Sequence, residues 1–146
     1  MACCGRKRSK LCADPIRLFM REMSDRLRFW KSWPLSLPLQ LCAGNVDKAA
    51  WAQKLPETEV VEIGGISIYV LHDLAQLDLK PEASGFSVVI SGHSHVPKQE
   101  TRNGVLHFNP GSAGPRRFKL PVSVGRLIVE NGAVRGEILQ LSVDHP

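Results

Sequence analysis

Residues 85–97, GFSVVISGHSHVP, join a short apolar run to a polar stretch that contains two histidines. The run GFSVVI is rich in β-branched residues and is bounded by glycine, a composition typical of a buried strand. His93 and His95 follow it and are separated by one residue. Histidines seldom cluster at the end of a buried strand for packing reasons, so this stretch predicts a functional site at a strand terminus.

Strand-like segments surround this stretch on both sides. They are EVVEIGGISIYVLH (59–72), a hairpin pattern around a Gly-Gly pair; GVLHFNPGS (104–112), a strand that enters a turn; and VSVGRLIVENGAVRGEILQL (122–141), a hairpin around Asn131-Gly132. The segment VDKAAWAQKLP (46–56) predicts a helix that ends near Pro56. Residues 41–146 are therefore predicted to form one α/β domain.

The first forty residues differ in composition from the rest of the chain. Residues 1–40 contain nine Lys/Arg and three Asp/Glu, a net charge of +6, whereas residues 41–146 contain ten and eleven, a net charge of −1. A helix is predicted over residues 15–31, with Asp14 as N-cap and Pro15 at the first helical position. We expect residues 1–40 to be a separate basic segment that is helical or poorly ordered.

Several classes of protein are disfavoured by the composition. Residues 41–146 are nearly neutral and show no basic stripe, so nucleic acid is not an expected partner. No apolar run has the length of a membrane span, and no secretory signal follows the basic N-terminus, which favours a cytoplasmic protein without a membrane partner. The four cysteines, Cys3, Cys4, Cys12 and Cys42, match no zinc spacing and are expected to be reduced thiols.

Three loops carry groups that can bind a metal ion: AGNVD (43–47), LHD (71–73) and SGHSH (91–95). Their candidate ligands are Asn45, His72, His93 and His95. One amide oxygen and three imidazoles suit a divalent transition ion such as manganese, iron or zinc. His72 taken alone is more often a satisfied, half-buried histidine, so the order of the three loops carries the prediction. Gly44 and Gly92 precede candidate ligands and are expected to let the backbone turn sharply off a strand.

The ordered series G-N-x-D, His and G-H-x-H resembles the later motifs of the calcineurin-like metallophosphoesterases. The stretches VLHDLAQLDL, SGHSHVP and HFNPGSAGPRRFKLPVSV are similar to the small bacterial phosphodiesterases of the YfcE type. The resemblance extends over residues 41–146. It implies a β-sandwich flanked by helices, an αββα arrangement, and a pair of divalent ions that activate a hydroxide for attack on a small phosphodiester.

The resemblance also assigns roles to single residues. Asn45, His72 and His93 match ligands of the second ion, and His95 matches a ligand of the first. Asp47 and Asp73 match no ligand, and Asp47 is expected to orient the Asn45 loop. Many relatives have a histidine that acts on the leaving group where this chain has Val46. The expected ion is manganese, with iron, zinc or nickel as alternatives.

Two motifs of the family, an early D-x-H and a G-D, have no counterpart in residues 1–40. In the family they supply the carboxylates of the first ion and the aspartate that bridges both ions. The remaining candidate ligands are all neutral, so ion binding and catalysis are expected to be impaired. Two alternatives follow: a non-catalytic interaction module, like the retromer subunit on this fold, or a truncated gene product whose N-terminal strands are missing or replaced.

Other polar residues have weaker signals. Arg116 and Arg117 are candidates for contact with a substrate phosphate, although a solvated pair is the plainer interpretation. Asn109 is a candidate for holding the SGHSH loop by hydrogen bonds. His107 is expected to be a packing or surface residue of its strand. Homo-oligomers are expected, because strands that lack their neighbours leave an exposed sheet edge.

Overall fold

The computed structural model describes residues 56–113, 116 and 119–142. Within them lie the strands β1 (Thr58–Ile63), β2 (Ile66–Leu71), β3 (Val88–Ile90), β4 (Lys98–Arg102), β5 (Val105–Asn109), β6 (Ser123–Glu130) and β7 (Ala133–Gln140). A 3₁₀ helix spans Leu74–Gln76. The predicted helices at 15–31 and 46–56 lie, apart from Pro56, outside the described residues. No helix in the described part of the chain is long and apolar enough to cross a membrane.

The strands form a five-stranded mixed sheet and a two-stranded sheet. The order of the larger sheet is β1-β2-β3-β5-β4, and β6 pairs with β7 in the smaller one. Strands β2, β3 and β5 run parallel to one another, whereas β1 and β4 pair antiparallel at the two edges. The carboxyl ends of the three central strands therefore meet at one edge of the sheet.

Two predicted hairpins are confirmed, and a third was missed. The β1–β2 and β6–β7 hairpins turn at Gly64-Gly65 and Asn131-Gly132, where both central residues have positive φ, as a type I′ turn requires. Strand β4 was not predicted, because its sequence KQETR offers no apolar alternation. The signal was nevertheless present in Asn103-Gly104, which turns β4 into β5 with φ values of 49° and 79°.

The two sheets enclose one hydrophobic core. It contains Val61, Ile66, Ile68, Val70, Val88, Ile90, Phe108 and Leu127. The ring of Phe108 lies between Gly125 of β6 and Gly136 of β7, where a side chain at either position would collide with it. Burial of a side chain of this size contributes about 1.5–3 kcal/mol. Phe108 thus joins the smaller sheet to the larger one.

The opposite face of the larger sheet carries a second cluster. Tyr69, Leu71, Val89 and Val105 form it, and residues from the connection between β2 and β3 pack against it. His107 lies on the same face, because it is in register with Val89 across the parallel pair. Its Nδ1 is buried and has no hydrogen-bond partner among the residues that the structure describes. His107 is therefore a packing residue of this face, as its position in the strand indicated.

We expect Gly125→Ala to destabilise the fold. The new Cβ would lie 2.3 Å from Cε1 of Phe108 and 2.7 Å from Cβ of Pro110, so the ring has to move. Overpacking of this kind costs about 1–3 kcal/mol of unfolding free energy, which urea denaturation measures. Glu130→Ala, at an exposed position of the same strand, is the control and should stay within about 0.5 kcal/mol of the parent chain. Equal stability of the Gly125 variant and the parent would contradict this packing.

We also expect His107 to make stability depend on pH. Burial lowers the pKa of His107 below its ordinary value of 6.5, and Arg102 lowers it further. Below pH 6.5 the unfolded chain therefore binds a proton that the folded chain resists, so stability present above that pH is lost as pH falls. His107→Leu should flatten the loss of unfolding free energy that the parent chain shows as the pH falls below 6.5.

The pH range of this effect distinguishes His107 from the acidic groups of the sheet. Hydrogen bonds from Lys98 and Arg126 lower the pKa values of Glu100 and Glu137 below 4.5, so their contribution is lost only at lower pH. An identical slope in the parent chain and in His107→Leu would show that His107 is not the titrating group.

Candidate metal centre

Two of the predicted ligands lie at the carboxyl ends of adjacent parallel strands. His72 directly follows β2, and His93 lies three residues beyond the end of β3. Because β2 and β3 are parallel and neighbouring, both histidines emerge at the same edge of the sheet. This is the edge at which α/β folds commonly bind ligands.

Two backbone hydrogen bonds extend the ladder beyond the strands themselves. The amide of Gly92 donates to the carbonyl of His72 at 2.9 Å, and the amide of Ser91 donates to the carbonyl of Phe108 at 3.0 Å. The start of the histidine loop is therefore held by its neighbours on both sides.

The left-handed backbone after β3 lies at the histidines and not at Gly92. His93 and His95 have φ values of 61° and 56°, whereas Gly92 is not among the glycines with positive φ. The amide of Ser94 donates to the carbonyl of Gly92 at 2.7 Å, so His93 is the central residue of a γ-turn. Gly92 is the first residue of this turn, and the left-handed backbone falls one residue after it. Left-handed backbone at a residue with a Cβ costs about 1–3 kcal/mol and is concentrated at functional sites.

Asn109 supports this strained loop from the end of β5. Its buried side-chain amide donates to the carbonyl of Gly92 at 2.8 Å and to Oγ of Ser94 at 3.0 Å. Its Oδ1 accepts a hydrogen bond from the amide of Gly111 at 2.9 Å. The Ser94 hydroxyl oxygen also accepts from the amide of Val96 at 3.4 Å. Ser94 therefore anchors the loop between the two histidines, a role that was not predicted from the sequence.

The rings of His72 and His93 are in contact. Nδ1 of His93 lies 3.3 Å from Nε2 of His72, and the rings meet edge to face with centroids 5.2 Å apart. His93 is exposed and His72 is half-buried, so the facing nitrogens are accessible from solvent. A contact of this length accommodates either a shared proton or a shared ion.

The geometry of the pair fits a bound divalent ion. Imidazole nitrogens bind such ions at about 2.0–2.1 Å, which at a tetrahedral angle places two of them about 3.3–3.4 Å apart. The observed separation of 3.3 Å agrees with that value. Within the described residues, however, no group of three or more His, Cys, Asp or Glu side chains is arranged to hold a metal ion. His72 and His93 are thus candidate ligands for an ion that would need further ligands in addition to this pair.

Asp73 is a further neighbour of this pair, and the sequence predicted no role for it. Its Oδ1 accepts a hydrogen bond from the amide of Ala75 at 3.0 Å and so caps the 3₁₀ helix. Its Oδ2 lies 3.8 Å from Nε2 of His93. The sequence feature that could have indicated this neighbour is the dipeptide His72-Asp73, which places a carboxylate beside a candidate ligand.

The remaining candidates are placed only in part. His95 is half-buried, two residues beyond His93. Arg116 is exposed, which suits a contact with a substrate phosphate as well as a solvated side chain. Asn45, Gly44, Asp47 and Arg117 lie outside the described residues, so their assignments stay predictions.

We expect Asn109→Ala to loosen the histidine loop. The substitution removes one of the two hydrogen bonds to the carbonyl of Gly92 and leaves the amide of Gly111 without its partner. An unpaired buried group costs about 1–3 kcal/mol. Urea denaturation should show the loss of unfolding free energy, and NMR should show broadened His93 and His95 resonances. Asn103→Gly is the control: it removes an exposed hydrogen bond to Glu82 while tolerating positive φ, and should change stability by about 0.5 kcal/mol or less. Unchanged stability and sharp histidine resonances in Asn109→Ala would contradict this role.

Comparison with known proteins confirms the family that the sequence resembles. Residues 19–132 match the calcineurin-like phosphoesterase superfamily domain, a range that begins inside the basic N-terminal segment. A probable metallophosphoesterase of Methanocaldococcus jannaschii is 35% identical over 96 residues, which cover 60% of this chain and 47% of that protein. Phosphodiesterase YfcE of Escherichia coli is 38% identical over 47 residues, 32% of this chain and 26% of that protein. The chain spans less than half the length of these curated relatives.

Solved structures show the same architecture. A predicted phosphoesterase from Streptococcus pneumoniae superposes with a TM-score of 0.60 at 23% identity, over 82% of this chain and 68% of that one. Vps29 of Entamoeba histolytica in complex with zinc superposes with a TM-score of 0.52 at 24% identity, over 70% and 68%. Both likenesses concern the fold. The chain therefore has the metallophosphoesterase fold and belongs to the calcineurin-like phosphoesterase superfamily.

Proposed function

We propose that this chain is a metal-dependent phosphoesterase that acts on small phosphodiesters. The observation that carries the proposal is the pair of imidazole nitrogens, Nδ1 of His93 and Nε2 of His72, held 3.3 Å apart at the carboxyl ends of two parallel strands. Membership of the calcineurin-like superfamily and the names of the curated relatives support the same class of reaction.

The chain's own residues have distinct tasks in this proposal. A divalent ion bound here supplies Lewis acidity toward a phosphoryl oxygen and activates water as a nucleophile. His72 and His93, which follow β2 and β3, are two proposed ligands of this ion, and Asn45 is the proposed third. His95 is the proposed ligand of the other ion, the first of the pair. We propose manganese as the ion, with zinc as the first alternative because a Vps29 neighbour contains it.

The proposed activity is weak, for two chemical reasons. The proposed ligands are all neutral, so they provide less electrostatic attraction for a divalent ion than a set that includes carboxylates. Val46 also occupies the position at which many relatives have a histidine that acts on the leaving group. Substrates whose leaving group departs without protonation should therefore be hydrolysed preferentially.

A non-catalytic interaction module is the second candidate function. It is favoured by one observation: the described residues contain no group of three or more His, Cys, Asp or Glu side chains arranged around a metal ion. On this alternative the histidine loop is a structural remnant, and the fold serves to bind a partner protein.

Hydrolysis of bis(p-nitrophenyl) phosphate tests the proposal. Metal-stripped protein should be inactive and should gain activity with added Mn²⁺ or Zn²⁺, because the ion provides the nucleophile and the Lewis acid. His93→Ala should lose more than the about 10- to 100-fold that outer-shell partners of a metal are worth. His107→Gln is the matched control, since this histidine lies in β5 away from the loop, and it should keep the parent activity.

The two candidate functions predict different results. Hydrolysis that needs the ion and disappears in His93→Ala supports the enzyme. A folded parent chain that does not hydrolyse the substrate with manganese, iron, zinc or nickel overturns the enzyme proposal in favour of the interaction module. Equal activity in the parent and His93→Ala would show that the hydrolysis does not come from this centre.

A further inference from the structure

We infer that Asp73 is a positioning residue, whose carboxylate holds His93 in the tautomer that leaves Nδ1 free of a proton and turned toward His72. The inference rests on the proposed function, because it concerns how the chain prepares a ligand for the proposed ion. It assigns Asp73 a task beyond the capping of the 3₁₀ helix.

The first step is that the carboxylate is fixed in place. Asp73 has extended backbone, with φ −114° and ψ 118°, and its Oδ1 accepts the hydrogen bond from the amide of Ala75 at 3.0 Å. The cap occupies one oxygen and sets the plane of the carboxylate. The second oxygen is therefore held in one direction, and that direction is toward the ring of His93.

The second step is that the two nitrogens of His93 have different neighbours. Nε2 lies 3.8 Å from Oδ2 of Asp73, and Nδ1 lies 3.3 Å from Nε2 of His72. The contact of 3.8 Å is longer than a direct hydrogen bond, so it acts through the charge of the carboxylate or through a bridging water. In either case the acceptor-only carboxylate favours the proton on Nε2.

The third step is the consequence for the pair. With the proton on Nε2, the lone pair of Nδ1 points at His72. In the metal-free chain Nε2–H of His72 donates to that lone pair, and the 3.3 Å separation is the length of this contact. When an ion is bound, the same lone pair is ready as a ligand. Metal-binding histidines commonly have such a carboxylate on the second ring nitrogen, and its loss costs about 10- to 100-fold in affinity.

Capping alone does not require a carboxylate at this position. Asparagine caps a helix about as well as aspartate, because its side-chain oxygen accepts the same amide hydrogen bond. Asp73→Asn therefore keeps the cap and removes the charge, whereas Asp73→Ala removes both. Asp78→Asn is the control for loss of one negative charge, because Asp78 is exposed and lies five residues further along the chain.

The experiment combines two measurements on these variants. Binding of Zn²⁺ alone is measured by calorimetry, and the tautomer of His93 is read from ¹⁵N NMR of the metal-free protein at about pH 8, where imidazoles are neutral. Asp73→Asn should weaken Zn²⁺ binding by about 10- to 100-fold and move the His93 proton off Nε2. Its unfolding temperature should remain that of the parent, whereas Asp73→Ala should melt at a lower temperature. Asp78→Asn should match the parent in both measurements.

The outcomes separate the inference from the proposed function. An unchanged His93 tautomer in Asp73→Asn overturns the inference, whatever happens to Zn²⁺ affinity. A parent chain that binds no Zn²⁺ or Mn²⁺, with the tautomer still dependent on Asp73, supports the positioning role and overturns the proposed function. Weaker Zn²⁺ binding together with a changed tautomer supports both.

Discussion

Parallel pairing of β2 with β3 is the constraint from which the candidate centre follows. Neighbouring parallel strands end at the same edge, so the residues after them are brought together however far apart they lie in sequence. The amide of Gly92 continues the ladder by donating to the carbonyl of His72, which links the two loops before either ring is considered. Backbone hydrogen bonds therefore bring the two loops together, and the side-chain conformations then set the separation of the imidazoles.

The histidine loop is strained, and the strain is balanced by polar contacts from a different strand. Left-handed backbone at His93 and His95 is unfavourable, and such a conformation persists only where its surroundings determine it. Asn109 provides those surroundings with a buried amide that contacts both the backbone and Ser94. Asn109 directly follows Phe108, which fills the space between the two sheets. Core packing and support of the loop thus depend on consecutive residues of β5.

Family membership and catalytic competence are separate matters in this chain. The domain match and the fold establish the superfamily, whereas the described residues show a close pair, His72 and His93, and no group of three or more His, Cys, Asp or Glu side chains arranged for a metal ion. A phosphoesterase centre of this class needs further oxygen and nitrogen ligands around its ions. The proposed weak activity and the proposed role of Asp73 both concern how much a partial ligand set can do. The tautomer and orientation of a single imidazole have the largest effect on ion affinity where few ligands bind the ion.

Much of the β structure follows from the sequence, because its signals are local. The Gly64-Gly65 and Asn131-Gly132 turns were readable since two residues with positive φ between alternating strands specify a hairpin. Strand β4 was missed because it is polar on both faces, although Asn103-Gly104 indicated its turn. The motif order likewise indicated His72 and His93 as partners.

Tertiary structure decided the rest, since it depends on contacts between distant segments. The two hydrogen bonds that the Asn109 amide donates and the approach of Asp73 to the His93 ring join residues that lie 15 to 20 positions apart. No local pattern specifies which ring nitrogen faces which neighbour. The sequence by itself determined which residue types reach the edge of the sheet, and only the packing of β2, β3 and β5 determined their orientation there.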